Sequence, residues 1–228
     1  MVQASSATEV TYPDSDGQPM ADNTQQFRWI TRLVANLKIL LKDQPAFVAG
    51  DLLWYPVRVQ SANEPPPSQA PDVMVVLGRP DGDRGSYKQW QEDNVAPQVV
   101  FEIISPGNSD SEMGKKQNFY AQYGVLEMYF YDPESFEFWG LVREQATELP
   151  QLITPLNLPW QSPLLGVEFK LFDDGLSVFH PNGRVFKDPE VLGAERDRLL
   201  ELIDQAPDIE QLKRSLRDAG IDLGDDGA

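Results

Sequence analysis

The chain has 228 residues, no cysteine, and a formal net charge of −17 from 36 acidic and 19 basic side chains. The lack of cysteine excludes disulfides, thiolate metal centres and cysteine nucleophiles, and it fits a reducing, cytoplasmic setting. The negative charge argues against a broad electrostatic footprint on nucleic acid or anionic lipid, but a divalent cation at a local site would reverse the field there.

Residues 1–21 are polar and hold acids but no Lys or Arg, which predicts a flexible or loosely docked arm. The N-terminus MVQASSATEV has neither the basic nor the apolar region of a signal peptide, and no apolar run reaches bilayer-spanning length. No membrane partner is expected. A helix follows. Phe27, Ile30, Val34, Leu37 and Leu41 fall at helical spacing, and Asp22 with Gln25 reads as a capping box. FVAGDLLWYPV (47–57) reads as one strand, and the proline-rich stretch 63–71 as a loop that ends it. VMVVL (73–77) is a short buried strand, 78–94 a polar excursion, and QVVFEII (98–104) a second buried strand.

After the loop SPGNSD, residues 111–123 read as a helix with Gly124 at its C-cap. LEMYFYD (126–132) alternates, with Glu127, Tyr129 and Tyr131 on its more polar face. FEFWGLV (136–142) pairs with it through the turn DPES. Residues 167–172 and 176–186 are further strands, the latter turning at PNG. Residues 192–219 are charge-rich and helical, divided by Pro207. Leu199, Leu202 and Ile203 form one apolar stripe, and Ile209, Leu212 and Leu216 another. Helices this short need a packing surface, so they are expected to dock on the domain or on a second subunit. The expected fold is α/β: a mixed sheet flanked by helices, with extra antiparallel hairpins and a helical tail.

Glu102 is the anomaly in this pattern. It sits among apolar residues of a core strand, and an ionised carboxylate leaves water only at a cost. Along a strand it shares a face with Val100 and Ile104. Asp72 stands at the entry of the neighbouring strand candidate. Two carboxylates converging there would hold a hard cation such as magnesium, which takes few carboxylates plus water and phosphate oxygens. On the following helix Lys116, Tyr120 and Tyr123 lie at i, i+4, i+7 and form one stripe. A lysine there could orient the attacking water or stabilise charge on a phosphate in its transition state.

Pro71–Asp72, Glu102 and this lysine resemble the PD-(D/E)XK nuclease pattern. Within that superfamily the chain resembles the Uma-type restriction endonuclease family. The matching elements are Ala70–Gly78 (APDVMVVLG), Trp90, Pro97–Ser105 (PQVVFEIIS), Lys116 with Tyr120, Gly124–Val125, Glu127, and Tyr131–Pro133. They stand in order across residues 22–186. The resemblance implies a restriction-endonuclease-like fold over 22–188, with a helical appendage over 189–228. It implies metal-dependent hydrolysis of phosphodiester bonds in DNA, with magnesium or manganese on Asp72, Glu102 and the Ile103 carbonyl. Asp72, Glu102 and Lys116 would be catalytic. Two departures stand out. Ile104 occupies the place where the superfamily usually has its lysine, which in this branch commonly moves to the helix, here Lys116. Gln26 occupies the place of a first-helix histidine. A nuclease cutting both strands would act as a homodimer.

Each residue also has a plainer reading. Glu102 could be a structural carboxylate bonded to a Tyr or an amide, and Asp72 a turn residue after proline. Lys115, beside Phe119, reads as solvated. Tyr120 and Tyr123 read as core-edge packing, and Asp51 as a turn residue or a supporting ligand. Glu127 reads as a polar group supporting the site, and His180 as a surface hairpin residue. No G-x-S-x-G, H-E-x-x-H, P-loop or G-x-G-x-x-G is present. Two carboxylates could serve a glycosidase, but no other feature supports a sugar site. The rival to an endonuclease is an interaction module that keeps the nuclease fold without its activity.

Overall fold

The structure is a computed structural model that describes residues 10–15, 17–61, 65–205 and 208–218. The first nine residues of the expected arm, part of the proline-rich loop, Pro207, the Ile209 side chain and the acidic end lie outside the described residues. The chain divides after Phe186 into two compact units.

The first unit is built on a six-stranded sheet in the order β1 (Ala46–Gly50), β3 (Val73–Leu77), β5 (Val99–Ile103), β6 (Glu127–Tyr131), β7 (Phe138–Val142), β8 (Gln151–Ile153). Every neighbouring pair is antiparallel except β5–β6, which is parallel. A parallel pair needs a crossover, and helix α2 (Asp110–Tyr123) supplies it. β2 (Trp54–Tyr55) and β4 (Tyr87–Lys88) form a small parallel pair. β9 (Trp160–Gln161), β10 (Glu168–Phe172) and β11 (Gly175–Phe179) form a separate antiparallel sheet.

Strand alternation splits the core in two. Val73 and Val75 of β3 and Val99, Phe101 and Ile103 of β5 face helix α1 (Thr24–Leu40) and residues of the β9–β11 sheet. Met74, Val76 and Val100 face the other way, with Met113 and Tyr120 of α2. The sheet is therefore covered on both faces, and all five residues of β5 and of β6 are buried. This is the mixed α/β architecture expected from the sequence. Among the described residues no helix is long and apolar enough to cross a membrane.

The details differ in four places. The N-cap of α1 is Asn23, not Asp22. Its side chain accepts from the Gln25 and Gln26 N–H groups. Second, the buried face of α1 is Trp29, Ile30, Leu33 and Leu37, while Phe27 is 49% exposed. Apolar residues cover a wide arc of this helix, so periodicity alone does not choose the face. Third, the strand expected over 47–57 breaks at Asp51, whose φ is 46°. Gly50 just before it lies where a Cβ would come within 3.1 Å of Ile30, so the glycine lets α1 close on the strand end. Fourth, β11 stops at Phe179. The PNG turn follows, and only a single Phe179–Val185 bridge resumes the pairing.

The described part of the N-terminal segment runs over the polar excursion. Tyr55 donates to the Pro13 carbonyl at 2.7 Å, and the Val59 N–H donates to the Tyr12 hydroxyl at 2.8 Å. In the second unit, α3 (Pro189–Gln205) and α4 (Ile209–Asp218) form the helical pair expected from the apolar stripes.

Candidate active site

The ends of β3 and β5 lie side by side, capped by α1 from one face and α2 from the other. Asp72 immediately precedes β3 and is 6% exposed. Its Oδ2 accepts the Ile103 N–H at 2.6 Å and the Gln26 Nε2 at 3.3 Å. Asp72 is thus tied to the residue next to Glu102. Beside it, Asp51 N–H donates to the Asp72 carbonyl at 3.2 Å, so Asp51 adjoins the cluster through its backbone.

Glu102 is 2% exposed and points to α2. Its Oε2 takes the Lys116 Nζ at 2.7 Å. Its Oε1 accepts a short hydrogen bond from the Tyr120 hydroxyl. The stripe at i, i+4 on α2 therefore delivers one cation and one hydroxyl to the two oxygens of a single carboxylate. Ser109 caps α2 from the Glu112 N–H, and Gly124 ends it in the left-handed region at φ 99°. These caps fix the length and register of the stripe. Lys115, one residue away, is exposed. Tyr123 packs on Trp54 and Phe119 and makes no contact with Glu102.

Burial sets the electrostatics. It pushes Glu102 up to about 7, against the pull of Lys116 and with a further push from the charge of Asp72. It also raises Asp72, although Lys116, the Ile103 N–H and Gln26 pull the other way. For Lys116 burial works downward, but Glu102 and Asp72 outweigh it and hold the amine as an ammonium. Burial and the Glu102 charge hold the Tyr120 hydroxyl well above its ordinary value, so it stays a neutral donor. Two carboxylates and one lysine thus act on one another's charge in one buried cluster.

Gln26 enters from the first turn of α1 and is 6% exposed. Its Nε2 donates to the Ile103 carbonyl at 3.0 Å as well as to Asp72. Its Oε1 accepts the Asp22 N–H at 2.8 Å, and Asp22 in turn accepts from the Ser105 Oγ at 2.5 Å. Asp22 and Ser105 were missed as site-building residues. The signal was the loop SPGN directly after the strand, which has to be anchored somewhere. Ile104, in the usual lysine place, lines a neighbouring cleft of about 500 Å³. Its wall carries Asp110, Asp132, Glu134 and Glu137, a poor seat for a phosphate without cations.

One expected residue lies elsewhere. Glu127 is on the opposite face of the sheet from Glu102. It accepts from the Ser162 Oγ at 2.5 Å, the Leu164 N–H at 2.7 Å and the Tyr129 hydroxyl at 3.0 Å. The strand alternation was read correctly, but the polar face is covered by the segment that carries β9. His180 is not a free surface residue. Its ring packs on Phe186, and its Nε2 lies 3.2 Å from Oδ1 of the buried Asn36.

The oxygens of Asp72, Glu102 and the Ile103 carbonyl suit a hard cation such as magnesium, and a cation there would relieve the mutual repulsion of the two carboxylates. Among the described residues, no three His, Cys, Asp or Glu side chains group as a metal site.

No curated protein matches this chain. A solved structure similar to it is that of "a putative nuclease belonging to DUF820 from Anabaena variabilis", with 15% identity, a TM-score of 0.46, and coverage of 70% of this chain and 87% of that one. A family model matches residues 7–173, and the chain belongs to that family: Uma2, described as "Putative restriction endonuclease".

Proposed function

We propose that the protein is a metal-dependent endonuclease that hydrolyses phosphodiester bonds in DNA. The observation that carries this reading is the pairing of buried Glu102 with Lys116 beside the equally buried Asp72. Asp72, Glu102 and the Ile103 carbonyl would hold magnesium or manganese, which supplies Lewis-acid stabilisation of phosphate charge and a more acidic water. Lys116 stays protonated, so it is no general base. It acts as a hydrogen-bond donor to the attacking water and as positive charge for the transition state. Tyr120 holds Glu102 in its rotamer. Family membership supports a nucleic-acid substrate. The overall charge of −17 makes the local cation a requirement for DNA to approach.

A chain without cysteine acting on DNA would work in the cytoplasm, and a two-fold dimer would offer one cluster to each strand. Light scattering on the full chain tests the dimer. Incubation with supercoiled plasmid and magnesium tests the activity. Nicked or linear product is expected, lost with a chelator and in Asp72→Asn. A monomer refutes the dimer, and intact plasmid under all conditions refutes the nuclease.

One observation favours the rival reading of an interaction module. Gln26 donates to both Asp72 Oδ2 and the Ile103 carbonyl without any cation. Under that reading manganese would not bind.

A further inference from the structure

The Gln26 carboxamide is fixed at both ends. Its Oε1 accepts the Asp22 N–H at 2.8 Å, which assigns the other end, Nε2, as the donor. Nε2 then donates to the Ile103 carbonyl at 3.0 Å and to Asp72 Oδ2 at 3.3 Å. These are two of the three groups that the proposed function gives to a cation. The amide hydrogens therefore hold positive charge against the Ile103 carbonyl and Asp72 Oδ2, the two oxygens that a divalent ion would use unless it took Asp72 through Oδ1.

An ion sharing both oxygens would sit at about 2.0–2.6 Å from each. That is closer than Nε2 stands, and it brings the ion's charge against the amide hydrogens. Flipping the amide does not solve the conflict. It would turn Oε1 toward the ion but set the NH2 group against the Asp22 N–H, leaving a buried donor facing a donor. Asp22 is itself held, since its Oδ2 accepts from Ser105 Oγ at 2.5 Å. An ion that takes both oxygens therefore moves the carboxamide away rather than rotating it in place.

We infer that Gln26 is a built-in substitute for the cation: it satisfies Asp72 and Ile103 in the metal-free chain, and metal entry is coupled to its displacement. Gln26 is thus a positioning residue that lowers metal affinity and stabilises the empty site. The inference rests on the metal-site reading above.

The test is calorimetric titration of the full chain with manganese, using wild type, Gln26→Met, Gln26→Ala and Asp72→Asn. Methionine keeps the length of glutamine and removes both donors. With the competing hydrogen bonds gone, manganese is expected to bind Gln26→Met about tenfold more tightly than wild type. The melting temperature of metal-free Gln26→Met should fall, and saturating manganese should raise it by more than it raises wild type. Gln26→Ala gives the same answer if methionine does not fit. Affinity equal to or weaker than wild type in the folded variants, with binding still abolished by Asp72→Asn, overturns the role of Gln26 and leaves the metal site standing. Absence of binding in every variant overturns the metal site and this inference with it.

Discussion

Glu102 and Glu127 stand on adjacent strands of one sheet and are almost equally buried, at 2% and 1% exposure. They solve the cost of burial differently. Glu127, on the face toward β9, is surrounded by neutral donors: two hydroxyls and one backbone N–H. Two of the three, the Ser162 hydroxyl and the Leu164 N–H, tie β6 to the segment 162–164, and the third, Tyr129, is on β6 itself. Glu102, on the face toward α2, takes an ammonium and a hydroxyl, and a second carboxylate lies close enough to raise it further. A structural carboxylate needs only hydrogen bonds. A like-charged neighbour adds nothing to a fold, since it makes the empty state less stable. That excess negative charge beside a held lysine distinguishes the proposed site from the structural carboxylate.

The comparison breaks if the two faces respond alike to substitution. The largest effect is expected at Lys116. Lys116→Met removes the charged donor to Glu102 and should lower plasmid cleavage by about 100- to 1000-fold, as loss of a transition-state donor does. Cleavage within tenfold of wild type would take Lys116 out of the chemistry. Next is Glu127→Ala, which strands two buried hydroxyls and one part-buried N–H and should destabilise the chain by about 3 kcal/mol in denaturant unfolding. Manganese affinity should not change, because Glu127 faces away from the site.

A smaller effect sharpens the contrast through pH. Burial raises both glutamates from their ordinary value of 4.5, so the folded chain binds protons more tightly than the unfolded one. Their contribution to stability is therefore full below 4.5 and is lost as pH rises through the native values, which for Glu102 means toward about 7. Glu127→Gln should flatten part of that decline with or without manganese. Glu102→Gln should flatten it only without the metal, because a bound cation keeps Glu102 ionised. Melting curves from pH 4.5 to 8, with and without manganese, read this directly. The smallest effect is Tyr120→Phe, expected to cost about 1 kcal/mol of stability and to leave cleavage within a few-fold. A hundredfold loss would make Tyr120 part of the chemistry rather than a support for Glu102.

The sequence carried these two carboxylates unequally. β3 and β5 were legible because turn residues punctuate short runs that are apolar throughout. The reach of α2 to Glu102 followed from spacing along a helix, a local property. The environment of Glu127 is not local. Alternation put it on a polar face, and only residues some 35 positions downstream turn that face into core. The same limit applied to α1, where the choice between Phe27 and Trp29 depends on what packs against the helix. Asp51 read both as a turn residue or supporting ligand and as part of one strand over 47–57, and its φ of 46° decides for the turn. Gln26 was placed by the resemblance, at the position of a first-helix histidine. That it donates to both Asp72 and Ile103 requires the strand ends and the helix terminus to meet.

The central claim is that Glu102 is a ligand and Glu127 is a strut. Calorimetric titration with manganese of Glu102→Gln and Glu127→Gln, side by side with wild type, tests it most directly. The account predicts that Glu102→Gln loses binding by more than 100-fold, well beyond the effect of one hydrogen bond, while unfolding within about 1 kcal/mol of wild type. Glu127→Gln should keep wild-type affinity. Equal affinity in the two variants, or loss of binding in Glu127→Gln alone, would contradict it.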